Sequence, residues 1–325
     1  MAYERERQVA LEAAQAASLL VERVRRELGP VAIEKEDRSP VTVADFGSQA
    51  LVCRALAEAF PDDDVVGEET ATELRKPAMA AHLEQVTGYV RALVPGATSG
   101  AVADWIDHGA GDVGSRFWTL DPIDGTKGFL RGDQYAVALA LIEGGEVQLG
   151  LLACPALPIA DADDSPRGVL FVAQRGQGAS MQPLAGGEAR PITVAAGDDV
   201  GNMRLTESVE ASHSNHSRQA LVARAVGLSA PSLRMDSQAK YGAIASGRAA
   251  LYLRLPSPRA PDYHEKIWDH AAGAIVVEEA GGRVTDMHGR RLDFASARLL
   301  AHPAGVVVSN GSIHEAVLDA LRRTG

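Results

Sequence analysis

The stretch Trp118-Thr119-Leu120-Asp121-Pro122-Ile123-Asp124-Gly125-Thr126-Lys127-Gly128-Phe129 decides how the chain is read. A strand running to Leu120 is expected to end in two carboxylates that flank Pro-Ile and precede Gly-Thr. Pro122 fixes the turn and Gly125 frees the backbone after it. Two acidic side chains held rigidly at a strand end suit a hard cation such as magnesium, which takes oxygen ligands and tolerates little geometric slack. If Gly125 and Thr126 open a helix, their N–H groups and its dipole favour a phosphate beside the metal. A polar turn with an aspartate at a cap is the competing reading.

Upstream, apolar positions at helical spacing (Val9, Ala13, Ala16, Ala17, Leu20, Val24, Leu28) predict a helix over 7–28, stopped by Gly29-Pro30. A second helix is expected over Asp45–Phe60, ended by Pro61. From Arg116 the pattern becomes strand-like. Tyr135–Ile142, Glu143-Gly144-Gly145-Glu146 and Val147–Leu152 read as a hairpin, and Gly168–Ala173 as a further strand turning at Gly176 and Gly178. Residues 161–166, acidic and proline-bearing, read as an exposed loop. Beyond about residue 198, short strands alternate with helices: 205–209 before 218–226, 233–235 before 238–246, 251–255 before 268–280, and 306–308 before 312–323. The expected fold class is α/β: an α+β half over 1–198 joined to an α/β half over 199–325.

The 325 residues, 46% hydrophobic and 23% charged, describe an ordinary globular protein with room for a large core. No apolar run approaches the roughly 18 residues that span a bilayer, and the charged start Met1–Arg7 lacks a secretory signal's apolar stretch. No membrane partner and a cytoplasmic location are therefore expected. Cys53 and Cys154, without metal-binding spacing, read as buried thiols. The net charge of −11 argues against a nucleic acid polymer as partner. It leaves room for a small anionic substrate, because bound divalent cations invert the local field.

Four dispersed pieces then converge. Asp121-Pro122-Ile123-Asp124-Gly125-Thr126-Lys127-Gly128-Phe129 resembles the signature of the inositol-monophosphatase superfamily, and Lys127–Gly132 resembles its 3′(2′),5′-bisphosphate nucleotidase branch. Ser39–Asp45 resembles the first acidic motif, Val66-Gly67-Glu68-Glu69 the glutamate motif, and Trp268–Gly273 followed by Glu279–Gly282 the C-terminal motif. The haloacid-dehalogenase signature, Asp-x-Asp-Gly-Thr, differs: Asp121 and Asp124 stand three apart, with proline after the first. Each piece alone has a plainer reading. Asp45 could cap a helix, Glu68 and Glu69 could be a solvated pair, and Asp269 could answer a helix dipole. Together they make one acidic cluster that needs a cation.

The resemblance implies a layered αβαβα sugar-phosphatase-like fold and two or three Mg²⁺ ions. It assigns Glu68, Asp121 and the Ile123 carbonyl to one ion, Asp121, Asp124 and Asp269 to a second, and a third beside Glu68 with the substrate. Thr126, hydrogen-bonded to Asp45, would accept the attacking water's proton, with no covalent phosphoenzyme. Lithium inhibition at the Asp121/Asp124/Asp269 site is implied as well. On the substrate side, Ala211–His216 resembles the branch's nucleotide-contacting loop, with His213 preferred to His216. Asp236-Ser237-Gln238-Ala239-Lys240-Tyr241 and Tyr252–Pro256 match further branch motifs. Gly125, Thr126, His213, Ser237, Lys240 and Arg254 are thus the expected substrate contacts, with Lys240 and Arg254 on a 5′-phosphate. The partner implied is a small nucleotide bisphosphate, adenosine 3′,5′-bisphosphate or its sulfated analogue. The alternatives are an inositol-phosphate or sugar-phosphate phosphatase, and a non-catalytic nucleotide or metal sensor.

Overall fold

A computed structural model of the chain describes residues 2–29, 33–34, 40–160, 165–209, 216–256 and 262–324. Helix α1 (Glu4–Leu28) buries Ala10, Ala13, Ala14, Ala17, Leu20, Val21 and Val24, a stripe at three- and four-residue spacing. The two-residue strands β1 (Ile33–Glu34) and β2 (Pro40–Val41) lead into α2 (Val43–Ala59). This helix starts two residues before the expected Asp45, because Thr42 caps it and Asp45 returns a bond to the Thr42 N–H.

Next come β3 (Asp64–Gly67), α3 (Ala80–Arg91), α4 (Ser99–Asp107), β4 (Arg116–Asp124) and the short α5 (Thr126–Arg131). The meander β5 (Ala136–Glu143), β6 (Glu146–Pro158), β7 (Arg167–Gln174), β8 (Gly178–Pro183) and β9 (Arg190–Ile192) follows in antiparallel order. With β3 parallel to β4 at the edge, these strands form a seven-stranded sheet in sequence order. The hairpin read from 135–152 is β5–β6.

The rest of the chain supplies β10 (Leu205–Glu207), α6 (His216–Ala225), β11 (Leu233–Arg234), α7 (Ala239–Ala245) and β12 (Leu251–Arg254). A 3-10 turn (Ile267–Asp269) precedes α8 (Ala271–Glu279), and β13 (Arg283–Thr285), β14 (Val306–Ser309) and α9 (His314–Thr324) complete it. The expected helix over 268–280 is therefore split, with Asp269 in the turn. The second sheet runs β11-β10-β12-β14-β13, parallel on the β10 side and antiparallel around β14.

The layers stack as helices, sheet, helices, sheet, helices. Ala14 of α1 and Leu56 of α2 share a core with Trp118, Leu139 and Leu151 on one face of the large sheet. Tyr241 of α7 and Ile275 of α8 pack between Phe171 of the large sheet and Val308 of the small one. Val222 of α6 and Leu321 of α9 cover the far face through Leu253 and Val307. Cys53 and Cys154 are both buried and unbridged. No described helix is long and apolar enough to cross a membrane. Residues 161–164 and His213 lie outside the described residues.

Candidate active site

The strand carrying the signature does not end at Leu120, as the sequence suggested. β4 continues to Asp124, pairing Asp121 with Ala138 and Asp124 with Ala136, so one extra residue is accommodated as a bulge. In a regular strand, positions three apart face opposite sides. The bulge at Pro122-Ile123 re-aims the chain, and both carboxylates line one cleft of about 390 Å³. Ser48 of α2 fixes the bulge by donating to Pro122 O at 2.9 Å, and the Ile123 N–H donates to Asp121 Oδ1 at 3.1 Å. Gly125 follows at φ +85°, and a Cβ there would sit 3.0 Å from Ser237 Cβ, so only glycine fits.

Glu68, Asp121, Ile123, Asp124 and Asp269 line the same cleft, from the end of β3, from β4 and from the 3-10 turn. Gly125, Thr126, Ser237, Lys240 and Arg254 line it too. Asp45 lies behind, fully buried, with its Oδ1 3.4 Å from the Thr126 hydroxyl. His216, the other histidine of the expected loop, has Nδ1 3.6 Å from Glu207 Oε2.

The electrostatics of this cluster are those of crowded, buried carboxylates. Burial, then Glu68, Asp124, Asp269 and Asp45, pushes the Asp121 carboxyl well above the usual carboxylate range. Asp269 rises for the same reasons, burial first and then Asp124, Glu265 and Glu68. Asp124 is raised by burial too, although Lys240 and the Gln238 N–H work in the opposite direction. Oxygen-only donors whose mutual repulsion resists ionisation fit a hard divalent cation, which would relieve it.

Lys240 is buried, with Nζ 3.5 Å from Met235 O and 5.0 Å from the centroid of the Tyr252 ring. Burial pulls its ammonium down to about 8, with Arg254 adding to the fall and Asp124 and Asp236 opposing it. The Arg254 Nε–H donates to Glu265 Oε1 at 2.9 Å. Glu265 Oε2 lies 3.4 Å from His270 Nε2, whose Nδ1 is 2.7 Å from the Tyr241 hydroxyl. Burial would raise the Glu265 carboxyl, but Arg254 and His270 bring it down to about 2.

Glu265, His270, Tyr241, Tyr252, Tyr263, Asp236 and Gln238 line the cleft without having been singled out as site residues from the sequence. Glu265 stands four residues before Asp269 in a segment with no periodicity, and only the fold brings it beneath Arg254. Ligand atoms of Glu265, Asp269 and His270 lie within 4.8 Å of one another. Glu265 is already engaged on both oxygens, so this trio is an anchored polar chain beside the carboxylate cluster.

Residues 2–325 match the inositol monophosphatase family, to which the chain belongs. It is 43% identical to the 3′(2′),5′-bisphosphate nucleotidase of Emericella nidulans, with 99% of both chains covered. It is 42% identical to 3′(2′),5′-bisphosphate nucleotidase 1 of Arabidopsis thaliana, over 99% of this chain and 97% of that one. Among solved structures, the Thermotoga maritima IMPase superposes with a TM-score of 0.67 at 21% identity, over 98% of each chain. The inositol monophosphatase from Anabaena gives 0.62 at 21% identity, over 97% of this chain and 94% of that one. These likenesses establish the mixed α/β fold.

Proposed function

We propose that the chain is a magnesium-dependent phosphatase that removes the 3′-phosphate of adenosine 3′,5′-bisphosphate, giving AMP and inorganic phosphate, with the sulfated analogue as a second substrate. The names of the full-length relatives support phosphatase action on bisphosphate nucleotides. One observation carries the finer reading: a single cleft holds the carboxylate cluster together with two cations, the buried Lys240 and the partly buried Arg254. A substrate with one phosphate to be cleaved and another to be held matches that arrangement.

Mg²⁺ held by Glu68, Asp121, Asp124, Asp269 and the Ile123 carbonyl would supply Lewis-acid activation of water and charge stabilisation at the leaving oxygen. The chain's own groups do the rest. As water attacks phosphorus and the bond to the 3′-oxygen breaks, Thr126 Oγ1 accepts the water's proton and passes its own hydroxyl proton to Asp45 Oδ1, 3.4 Å away, while the leaving 3′-oxygen takes a proton from solvent. Gly125 and Thr126 approach the reacting phosphate with their backbone, and Ser237 packs against Gly125. Lys240 and Arg254 hold the 5′-phosphate, Arg254 being aimed by Glu265. His213 belongs to the proposal as a nucleotide contact.

Phosphate release should be measured on adenosine 3′,5′-bisphosphate, its sulfated analogue and inositol 1-phosphate, in metal-free protein and after adding Mg²⁺. Release from the bisphosphate only with Mg²⁺ is the expected result. Preference for inositol 1-phosphate would overturn the substrate, and turnover in rigorously metal-free protein would overturn the mechanism.

A further inference from the structure

Two buried glutamines flank the carboxylate cluster, Gln238 in the wall of the cleft and Gln49 outside its lining. Gln238 joins three segments. Its backbone N–H donates to Asp124 Oδ2 at 2.6 Å, its Nε2 donates to Trp268 O at 2.8 Å, and its Oε1 accepts from the Gly273 N–H at 3.0 Å. The side chain thus clasps the corner that bears Asp269 while the backbone holds Asp124. Ser237 makes this possible by adopting φ +66°, one of two non-glycine residues with positive φ among those described. A left-handed serine is strained, and strain of this kind persists where the surroundings over-determine it.

Gln49 performs a comparable task on the opposite side. Its Nε2 donates to Glu69 O at 2.6 Å and Ile106 O at 2.8 Å, and its Oε1 accepts from the Glu69 N–H at 3.0 Å. These bonds grip the residue next to Glu68. The sequence makes room for them: a Cβ on Gly67 would lie 2.8 Å from Gln49 Oε1, and one on Gly109 2.4 Å from Gln49 Nε2. A side chain on either glycine would displace the amide.

We infer that Gln49 and Gln238 are positioning residues for the metal site, setting where Glu68, Asp124 and Asp269 stand relative to one another. The inference rests on the magnesium reading above. Carboxylates that repel one another would otherwise spread apart, and a cation demanding near-ideal geometry binds best when the protein has already opposed that spreading. A neutral amide suits this role because it donates and accepts at once without adding charge to an anionic cluster.

The test is calorimetric titration of Mg²⁺ into metal-free protein, alongside thermal melts, for wild type, Gln238→Met and Gln49→Met. Methionine keeps the volume and removes the amide bonds. Asn310→Ala serves as control, since Asn310 is a buried brace just after β14 that donates to Ala195 O at 3.0 Å. Each glutamine variant should bind Mg²⁺ about tenfold more weakly, the lower end of what outer-shell partners contribute. KM for the bisphosphate at saturating Mg²⁺ should stay near wild type in Gln49→Met, whose side chain lies outside the cleft lining. The control should melt earlier and bind Mg²⁺ normally. Wild-type Mg²⁺ affinity in both glutamine variants, with only the melting temperature lowered, would overturn the inference. If one variant does not fold, the other decides. A wild-type protein that binds no Mg²⁺ would instead remove the metal reading on which the inference rests.

Discussion

Asp45 divides its two oxygens between structure and the cleft: Oδ2 accepts from the Thr42 N–H at 2.8 Å and the Thr42 hydroxyl at 2.6 Å, while Oδ1 faces the Thr126 hydroxyl at 3.4 Å. Helix capping and proton acceptance were competing readings of this residue, and the geometry accommodates both. Thr126→Val keeps the shape and removes the hydroxyl, so kcat should fall by roughly 10²–10⁴-fold, the usual contribution of a positioned proton acceptor. Mg²⁺ affinity should barely change, and Thr126→Ser should restore most of the rate. A Thr126→Val enzyme with near-normal kcat would remove the pair from the mechanism. Asp45→Asn should add a stability loss of about 1 kcal/mol through the helix cap, visible in urea melts.

Asp121 should show opposite signs in activity and stability. Its carboxyl is raised in the fold by burial and by neighbouring carboxylates. The metal-free folded chain therefore retains protons that the unfolded chain releases, and its stability declines as pH rises through that range. Asp121→Asn should melt higher than wild type in EDTA, with a gap that widens as pH rises above the usual carboxylate range. The same variant should lose more than the roughly 10²–10³-fold in kcat that one oriented electrostatic contact is worth. Added Mg²⁺ should reverse the order of melting temperatures. Parallel melting curves at all pH values would show that Asp121 is not under electrostatic stress.

The acidic cluster was legible because its residues sit in short motifs whose spacing is fixed by local backbone, as in Asp121-Pro122-Ile123-Asp124. The meander after Arg116 was legible because its apolar runs alternate with glycine turns. The segment 61–115 was not. β3 has four residues, and α3 buries only Val86, Thr87 and Val90 with no side-chain cap at its start. Such elements are held by tertiary packing rather than by their own pattern. Glu265 and Gln49 escaped notice for a related reason. Gln49 acts on backbone atoms of Glu69 and Ile106, which carry no sequence signature, and Glu265 acts on the Arg254 and His270 side chains through a pairing that no local periodicity marks. The continuation of β4 to Asp124 was hidden because proline normally argues against a strand interior, yet a bulge admits it.

His314 should make the fold acid-sensitive independently of the cleft. Its Nδ1 lies 2.8 Å from Ser309 Oγ and its Nε2 2.9 Å from Thr285 Oγ1, between β14 and β13. Burial, helped by Arg283, brings the ring down to about 4. The unfolded chain takes up this proton near pH 6.5, so stability is complete above that value and is lost as pH falls toward 4. Arg283 and its partner Glu315 are solvent-screened, so the loss should be on the order of 2 kcal/mol rather than the full shift. Urea melts of His314→Gln across this range should show a shallower pH slope than wild type. An identical slope would place the acid sensitivity elsewhere.

Lys240 tests the choice of substrate. Its ammonium is buried against Tyr252 and brought down to about 8 in the free protein, chiefly by burial. As pH rises through that value the lysine loses its charge, and with it the attraction for a 5′-phosphate. The profile of kcat/KM for adenosine 3′,5′-bisphosphate should therefore carry an alkaline limb near this value, since that ratio reports groups of the free enzyme. Adenosine 3′-monophosphate offers the lysine nothing to hold, so its profile should lack the limb. A bound phosphate raises the lysine again, so kcat at saturation should stay flat across the same range. Charge-assisted contacts are worth roughly 1.5–3 kcal/mol, so Lys240→Ala should cost about 10- to 100-fold in kcat/KM on the bisphosphate and little on the monophosphate. Lys240→Arg keeps its charge throughout, and should retain part of the affinity while losing the limb. Equal losses on both substrates, or a limb that survives Lys240→Arg, would mean that the lysine supports the fold or the metal site and does not grip a remote phosphate.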